Sequence, residues 1–486
     1  MVVLLIGYGE VAIKGPGTRR RMENLLMRNI MEGLKKAGIE ARVSRSQGRL
    51  LVEVSDDRAK DAVDLVSRVF GVKFVAPARE YVVHSINDIV NAAVREWASL
   101  VKDKVFAVRS HRVGVHGFTS MDINREVGAA LRQYARGVDL ERPDVELHIE
   151  VRGDRAYLFH EVVKGPGGLP LGSEGKVLAL ISGGLDSPVA AWFMMKRGAY
   201  VDAMFCSLAH PLDTLGFLRV AHELFSRWSI GYDASIHIIN CSGLVNEIRG
   251  TVNPHLWNVV YKHILYRIAQ AIAKSTNALG IVTGESLGQV SSQTLHNLMA
   301  ASHGIDIPIY RPLIGLDKDE IVSYARMIGT YELSIKNEEF CAIFSEKPRT
   351  RATPEDVEAE VSKLSPGLID EALSTMVTIK ASSIPEVLKA LEDSQDVDID
   401  VVPRDAVVID LRSKPEYESW HYPGAINANI DNVMDLVKSM GKDRVYVLYC
   451  SRGLSSRFVA SELRRMGYRA FSISIEKLRD SYGKGQ

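Results

Sequence analysis

Two stretches of this chain carry residue types whose spacing suits chemistry. In "KVLALISGGLDSPVAAWFMMKRG" (176–198) an apolar run breaks into Ser182, Gly183, Gly184, Leu185, Asp186 and Ser187 and resumes with a helical pattern. Pro188 suits the first helical position and Gly198 a C-terminal cap. A strand-to-helix turn gathers backbone N–H groups and the positive end of the helix dipole in one small volume, and adjacent glycines let a phosphate approach the main chain. The loop lacks the Lys of a Walker A motif and the spacing of a GxGxxG turn. In "VYVLYCSRGLSSR" (445–457) Cys450 follows an apolar strand and leads into a helix, with Arg452 and Arg457 close in sequence. Main-chain N–H groups at a helix N-terminus and nearby guanidinium groups favour a thiolate and would stabilise a persulfide anion.

These loops need a frame. From 176 to about 330, "VLALI", "YVDAMFC", "SIHIINC", "ALGIVTG" and "IPIYRPL" alternate with helical segments, which predicts a doubly wound parallel α/β sheet with the first loop at its carboxyl edge. Residues 1–75 read as strand, helix, strand and helix, and 76–165 as a second α+β pattern. "KGPGGLPLGSEG" (164–175) is a Gly/Pro-rich linker, and the first-loop domain takes 176–350. Residues 351–400, acidic and helical, read as a connecting arm, and 401–486 as a final βα domain.

Length and composition agree with a multidomain soluble chain: 486 residues, 46% apolar and 25% charged. The opening "MVVLLIGYGE" is too short for a membrane span and follows no basic region, so the expectation is a cytoplasmic protein without a signal peptide. Net charge is zero, yet residues 1–60 hold 12 Lys and Arg against 7 Asp and Glu. Lys14, Arg19 and Arg20 in "KGPGTRRR", and Arg109 and Arg112 in "FAVRSHRVGVHGF", form basic patches suited to a phosphate-rich partner. Cys206, Cys241, Cys341 and Cys450 form no CxxC pair, which argues against a disulfide framework and a compact metal site. Cys206 and Cys241 end predicted strands and read as buried thiols.

The first loop matches the SGGxDS pyrophosphate loop of enzymes that cleave ATP between the α and β phosphates to adenylate a substrate. With "GEVAIKGPGTRRRMENLL", "FAVRSHR", "TGESLGQVSSQTLHNL" (283–298) and "RPLIGLDKDEI" (311–321), residues 1–350 resemble the tRNA 4-thiouridine synthetases. That resemblance implies a ferredoxin-like domain and a THUMP domain that grip tRNA, and an adenylation domain acting on uridine 8. It places ATP on Leu180, Ser182, Gly183, Gly184, Asp186, Ser187, Met204, Phe205, Lys262, Gly284 and Gln293. Main-chain groups at Met204 and Phe205 would read the adenine edge while their side chains cover its face. Asp186 would position Mg²⁺ or the phosphates, and Lys318 would neutralise departing pyrophosphate. Residues 402–486, with "VIDLRSKPEYESWHYPGAIN", resemble a rhodanese domain whose loop cysteine carries sulfane sulfur. A tyrosine phosphatase loop would need Arg at 456, where Ser456 stands, and Arg457 falls one residue late.

The resemblance implies that Cys450, loaded as a persulfide by a cysteine desulfurase, delivers sulfur to C4 of the adenylated uridine, either directly or after Cys341 attacks the persulfide and frees sulfide. Cys341, in "NEEFCAIFSEKP", falls where the family keeps a second catalytic cysteine, and a Cys341–Cys450 disulfide would await a thiol reductant. The iron–sulfur cysteines of some relatives are absent from "LWNVVYKHIL". The other adenylating enzymes weighed would need a glutaminase domain or a CxxC pair. A sulfur carrier for the thiazole of thiamine is the alternative, possible as a second role, and a non-catalytic tRNA-binding protein is a third reading. Oligomeric state is open, a homodimer included.

Overall fold

The structure, a computed structural model, describes residues 1–46, 48–208, 211–335, 348–393, 397–412, 414–450, 454–475 and 477–479. The chain divides into two compact units, the first comprising residues 1–177, 192–201 and 225–233, the second 178–191, 202–224 and 234–486.

The first unit is organised by a continuous sheet. The long strand Val72–Val82 pairs antiparallel with Val2–Tyr8 through its first half and with Arg155–Phe159 through its last residues. The boundary expected between residues 75 and 76 therefore falls inside a strand that serves both α+β halves. Helix Pro16–Lys36 covers one face of the first half through Leu26 and Ile30, packed on Leu4, Ile6 and Val52. Helices Ile86–Trp97 and Ser120–Arg132 cover the second half through Ile89, Trp97, Ile123 and Val127, against Phe106 and Leu147. Each of these two helices begins with a capping box, on Ser85 and Thr119.

In the second unit a sheet runs in the order Ile309–Tyr310, Ile281–Val282, Lys176–Leu180, Tyr200–Ser207, Ser235–Asn240, Val377–Lys380. Ile281–Val282 pairs parallel with both its neighbours, and Tyr200–Ser207 pairs parallel with Ser235–Asn240. Strand order reverses between Lys176–Leu180 and Ile281–Val282, so their following loops diverge into a crevice, the place where open α/β sheets bind ligands.

The expected connecting arm is in part a component of this core. Ala352, Val357, Leu364, Leu368 and Ala372 are buried against helix Trp257–Ser275, and Val377–Lys380 adds an antiparallel edge strand. Its acidic residues suggested a free linker; the intervening apolar ones fall on the inner faces of helices Pro354–Val361 and Leu368–Ser374.

A further sheet in the order Ile426–Asn427, Ala406–Asp410, Val445–Tyr449, Arg469–Ser472 is parallel throughout its described pairs. Its order reverses beside Val445–Tyr449, and Cys450 stands at the carboxyl end of that strand. No helix among the described residues is long and apolar enough to cross a membrane.

Candidate functional site

A cavity of about 250 Å³ opens at the first switch point. Leu180, Ser182, Gly183, Gly184, Asp186 and Ser187 line it from one loop, Met204 and Phe205 from the next strand, Lys262 from helix Trp257–Ser275, and Gly284 and Gln293 from the opposite loop. The expected site residues of this domain are thus brought together. Lys318 joins them through Asp186.

The Ser182–Ser187 turn is closed by its own hydroxyls. Ser187 Oγ accepts from Ser182 N at 2.9 Å and donates to Ser182 O at 3.2 Å, and Ser182 Oγ accepts from Gly184 N at 3.3 Å. Helix Asp186–Lys196 starts two residues before Pro188, which places Asp186 in its first turn, and Gly198 follows its end at φ +89°. Gly284 is required by the approach of the second loop: a Cβ there would lie 2.7 Å from Ser187 N and 2.9 Å from Asp186 C. Both Asp186 oxygens are engaged, Oδ1 by Lys318 Nζ and Oδ2 by Gln289 Nε2, each at 2.8 Å. Lys318 is the first residue of a helix whose capping box is formed by Asp317 and Glu320. Gln289, in the pocket wall, also keeps a buried Oε1 that finds no hydrogen-bond donor among the described residues.

Glu285 is the electrostatic centre of the opposite wall and was not singled out from sequence. It is 5% exposed and accepts from Lys262 Nζ at 3.2 Å and Arg311 Nε at 3.1 Å, with further hydrogen bonds from Thr283 and Tyr266. Burial alone would raise its pKa, but the charges of Lys262 and Arg311 and these hydrogen bonds overcome that and hold it at about 2. Burial, with Glu285 beside it, pushes the Tyr266 phenol well above its ordinary range. Glu285 and Arg311 lie inside the two motifs "TGESLGQVSSQTLHNL" and "RPLIGLDKDEI"; the signal that could have found them was a Glu and an Arg embedded in apolar sequence.

One expectation about this wall is corrected. Cys206 and Cys241 form a disulfide, with Cα atoms 5.6 Å apart. Parallel pairing sets Cys206 opposite Ile239, and Cys241 follows that strand's end. Their separation of 35 residues forms no recognisable spacing; only the strand pairing brings them together. Phe217 stacks on one face of Phe205 at 4.2 Å, and Phe205 also lines the pocket.

Cys450 is 6% exposed, beneath the start of helix Leu454–Arg465. Arg457 pairs with Asp398 at 2.9 Å, and Arg412 with Asp410 at 2.7 Å. Arg452 and Cys341 lie outside the described residues.

In the first unit, Lys14 and Arg20 are exposed. Arg19 is engaged internally: its Nε donates to Glu23 at 2.9 Å and its Nη2 to Tyr8 Oη at 3.3 Å, a half-buried network that Arg45 joins at 3.0 Å. Arg109 shares its charge with Glu146 at 3.2 Å and donates to Leu140 O at 2.5 Å. Arg112 Nη1 donates to Gly114 O at 2.9 Å and to His116 Nδ1 at 3.1 Å, which leaves His116 Nε2–H to donate to Gly153 O at 2.8 Å.

Residues 3–76 match the ThiI ferredoxin-like domain, 83–161 the THUMP domain, 172–365 the family described as Thiamine biosynthesis protein (ThiI), and 385–475 the Rhodanese-like domain. A tRNA sulfurtransferase of Pyrobaculum aerophilum is 46% identical over 473 residues, 97% of this chain and 96% of that relative. One from Thermoplasma volcanium is 43% identical over 484 residues, 99% and 98% of the two chains. A solved 4-thiouridine synthetase, in complex with RNA and with bound ATP, is 30% identical with a TM-score of 0.70, over 78% of this chain and 99% of that one.

Proposed function

The chain belongs to the tRNA sulfurtransferase family, and from that premise we propose that it uses ATP to replace O4 of a tRNA uridine, at position 8, with sulfur carried on Cys450. The observation that carries this reading is the switch-point pocket, where a hydroxyl-closed Ser182–Ser187 turn, a helix N-terminus and a Glu285-anchored Lys262 face one cavity, with Lys318 held beside it on Asp186.

The turn and the helix dipole bind the triphosphate. Lys318 exchanges Asp186 for phosphate oxygens and stabilises the charge that develops as pyrophosphate leaves. Among the described residues no group of three or more His, Cys, Asp or Glu could hold a metal ion, so magnesium would be held by phosphate oxygens with Asp186, whose lysine and amide partners are exchangeable, and would screen phosphate charge there. Uridine O4 bonds to the α phosphorus as the bond to pyrophosphate breaks, which turns O4 into a leaving group. The terminal sulfur on Cys450 then bonds to C4 and AMP departs. Attack of the Cys341 thiolate on Cys450 Sγ frees the thiocarbonyl and leaves a Cys341–Cys450 disulfide, which a thiol reductant opens before a cysteine desulfurase reloads Cys450. Residues 1–163 grip the tRNA, with Lys14, Arg20, Arg109 and Arg112 facing phosphates, and the reaction takes place in the cytoplasm. Thiazole sulfur delivery would need Cys450 but no such pocket.

The test is thionucleoside content of an unmodified tRNA incubated with the full chain, ATP, Mg²⁺ and a persulfide donor. Product is expected only with ATP, and Asp186→Ala should abolish it while tRNA binding survives. Unchanged thiolation in Asp186→Ala would remove the loop from the mechanism.

A further inference from the structure

The Cys450 sulfur shares its burial with two hydroxyls. Cys450, Ser456 and Ser472 expose 6%, 0% and 1% of their surfaces. Ser456 Oγ lies 3.6 Å from Cys450 Sγ, and Ser472 Oγ lies 2.8 Å from Ser456 Oγ. The three come from different elements: Cys450 follows strand Val445–Tyr449, Ser456 is in the first turn of helix Leu454–Arg465, and Ser472 ends strand Arg469–Ser472. Ser472 is held on both sides, its register partner being Leu448 and its N–H donating to Val397 O at 2.8 Å.

We propose that Ser456, backed by Ser472, is a positioning residue for sulfur transfer, donating a hydrogen bond to Cys450 Sγ whenever that atom carries negative charge. The inference rests on the reading of Cys450 as the sulfur carrier. A neutral thiol can donate or accept, but a thiolate only accepts, so ionisation obliges the Ser456 hydroxyl to point at the sulfur. Ser456 Oγ then becomes the acceptor for Ser472, and the two hydroxyls orient as one chain in a site where an unpaired hydroxyl is costly. Hydrogen bonds to charged acceptors are the stronger kind. Among the described residues, Arg457 is paired with Asp398 and Arg412 with Asp410, while burial, with Asp410 beside it, keeps the Tyr449 phenol protonated. The hydroxyl chain adds a directed hydrogen bond to the charge interaction that Arg457 has with Cys450.

In the loading step the Cys450 Sγ electron pair forms a bond to the sulfane sulfur of a protein persulfide. The donor's own S–S bond breaks, and its electron pair leaves on the donor cysteine, which takes up a proton. Ser456 holds Sγ charged and aimed before that attack. It receives the charge again when the Cys341–Cys450 disulfide is reduced.

The experiment compares the parent chain with Ser456→Ala, Ser456→Thr and Ser472→Ala, measuring alkylation of Cys450 by iodoacetamide against pH through peptide mass spectrometry. Loss of a hydrogen bond to a charged group lowers the thiolate fraction by about tenfold, and the greater nucleophilicity of the more basic thiolate offsets part of this, leaving alkylation about threefold slower near neutral pH. At strongly alkaline pH the Ser456→Ala rate should equal or exceed the parent's, a crossing that a merely structural defect would not produce. Ser456→Thr should restore the parent curve, and Ser472→Ala should fall between. Loading from a persulfide donor should slow in parallel while ATP binding is unchanged. A Ser456→Ala curve that overlays the parent at every pH overturns the inference, as does a uniform loss at every pH; should Ser456→Ala not fold, a Ser472→Ala curve overlaying the parent does the same. Cys450→Ala separates the two readings: if it still thiolates tRNA from the persulfide donor, the carrier reading falls, whereas an inactive Cys450→Ala beside an unaltered Ser456→Ala refutes the role of Ser456 alone.

Discussion

Substituting Glu285 by Gln removes one negative charge from a site that exposes 5% of its surface and holds two cations, Lys262 and Arg311. The magnitude follows from the folded-state pKa. A carboxyl lowered from 4.5 to about 2 is favoured in its charged form by folding, and the difference amounts to about 3 kcal/mol of stability. Because the folded value lies below the unfolded one, this stabilisation is complete above about pH 4.5 and is lost as pH falls toward 2. A second route gives the same size, since removing one partner of a buried ion pair costs about 3–5 kcal/mol. For a domain of this size the expected fall in melting temperature at pH 7 is roughly 6–12 °C. Thermal unfolding of parent and Glu285→Gln, followed by circular dichroism from pH 7 downward, should show the gap shrinking to under about 1 kcal/mol near pH 2.5. ATP affinity should fall as well, because Lys262 loses the group that holds it at the cavity. A variant within about 0.5 kcal/mol of the parent at pH 7, or a gap that does not depend on pH, would refute the assignment of Glu285 as the charge centre of the site.

Gly284→Ala should weaken ATP binding about tenfold or more with the fold retained, because the added Cβ meets backbone at 2.7 Å that no side-chain rotation can move; titration calorimetry with ATP checks this, and unchanged affinity would mean that the two loops can part freely. Replacing Arg109 and Arg112 together by Ala should lower the slope of log K for tRNA against log salt by about one for each phosphate that is no longer neutralised, while ATP binding stays as it was. An unaltered slope would return both residues to their hydrogen bonds with Glu146 and Gly114 as their whole role. Finally, a single turnover without reductant should stop near one equivalent of product and leave a Cys341–Cys450 disulfide on peptide mapping. Product formed while both remain free thiols would dismiss Cys341 from the reaction.

What the sequence by itself determined is what local physics dictates. The Ser182–Ser187 turn is legible because an apolar strand, two glycines, Pro188 and Gly198 each report on their own few residues. The parallel sheet is legible from alternating strands and helices, and its topology sets the switch point where those loops must meet. Cys450 was readable for the same reason, as a cysteine between a strand and a helix. Pairings across distant segments had no such signal. Glu285 becomes a charge centre because Lys262 comes from one helix, Arg311 from the segment after another strand, and Tyr266 from one turn along that helix. Basic residues look alike in sequence, yet Arg19 is consumed by Glu23 and Tyr8 while Arg20 faces solvent. Cys206 and Cys241 meet only because two strands run parallel in one particular register, and one face of Phe205 is covered only because Phe217 stacks on it. The acidic stretch after residue 350 hid apolar positions that matter once helices turn them inward. Turn chemistry and strand pattern act over a few residues, so sequence reports them directly; burial, charge pairing and disulfide proximity depend on which surfaces meet, and that is decided only when the whole chain has packed.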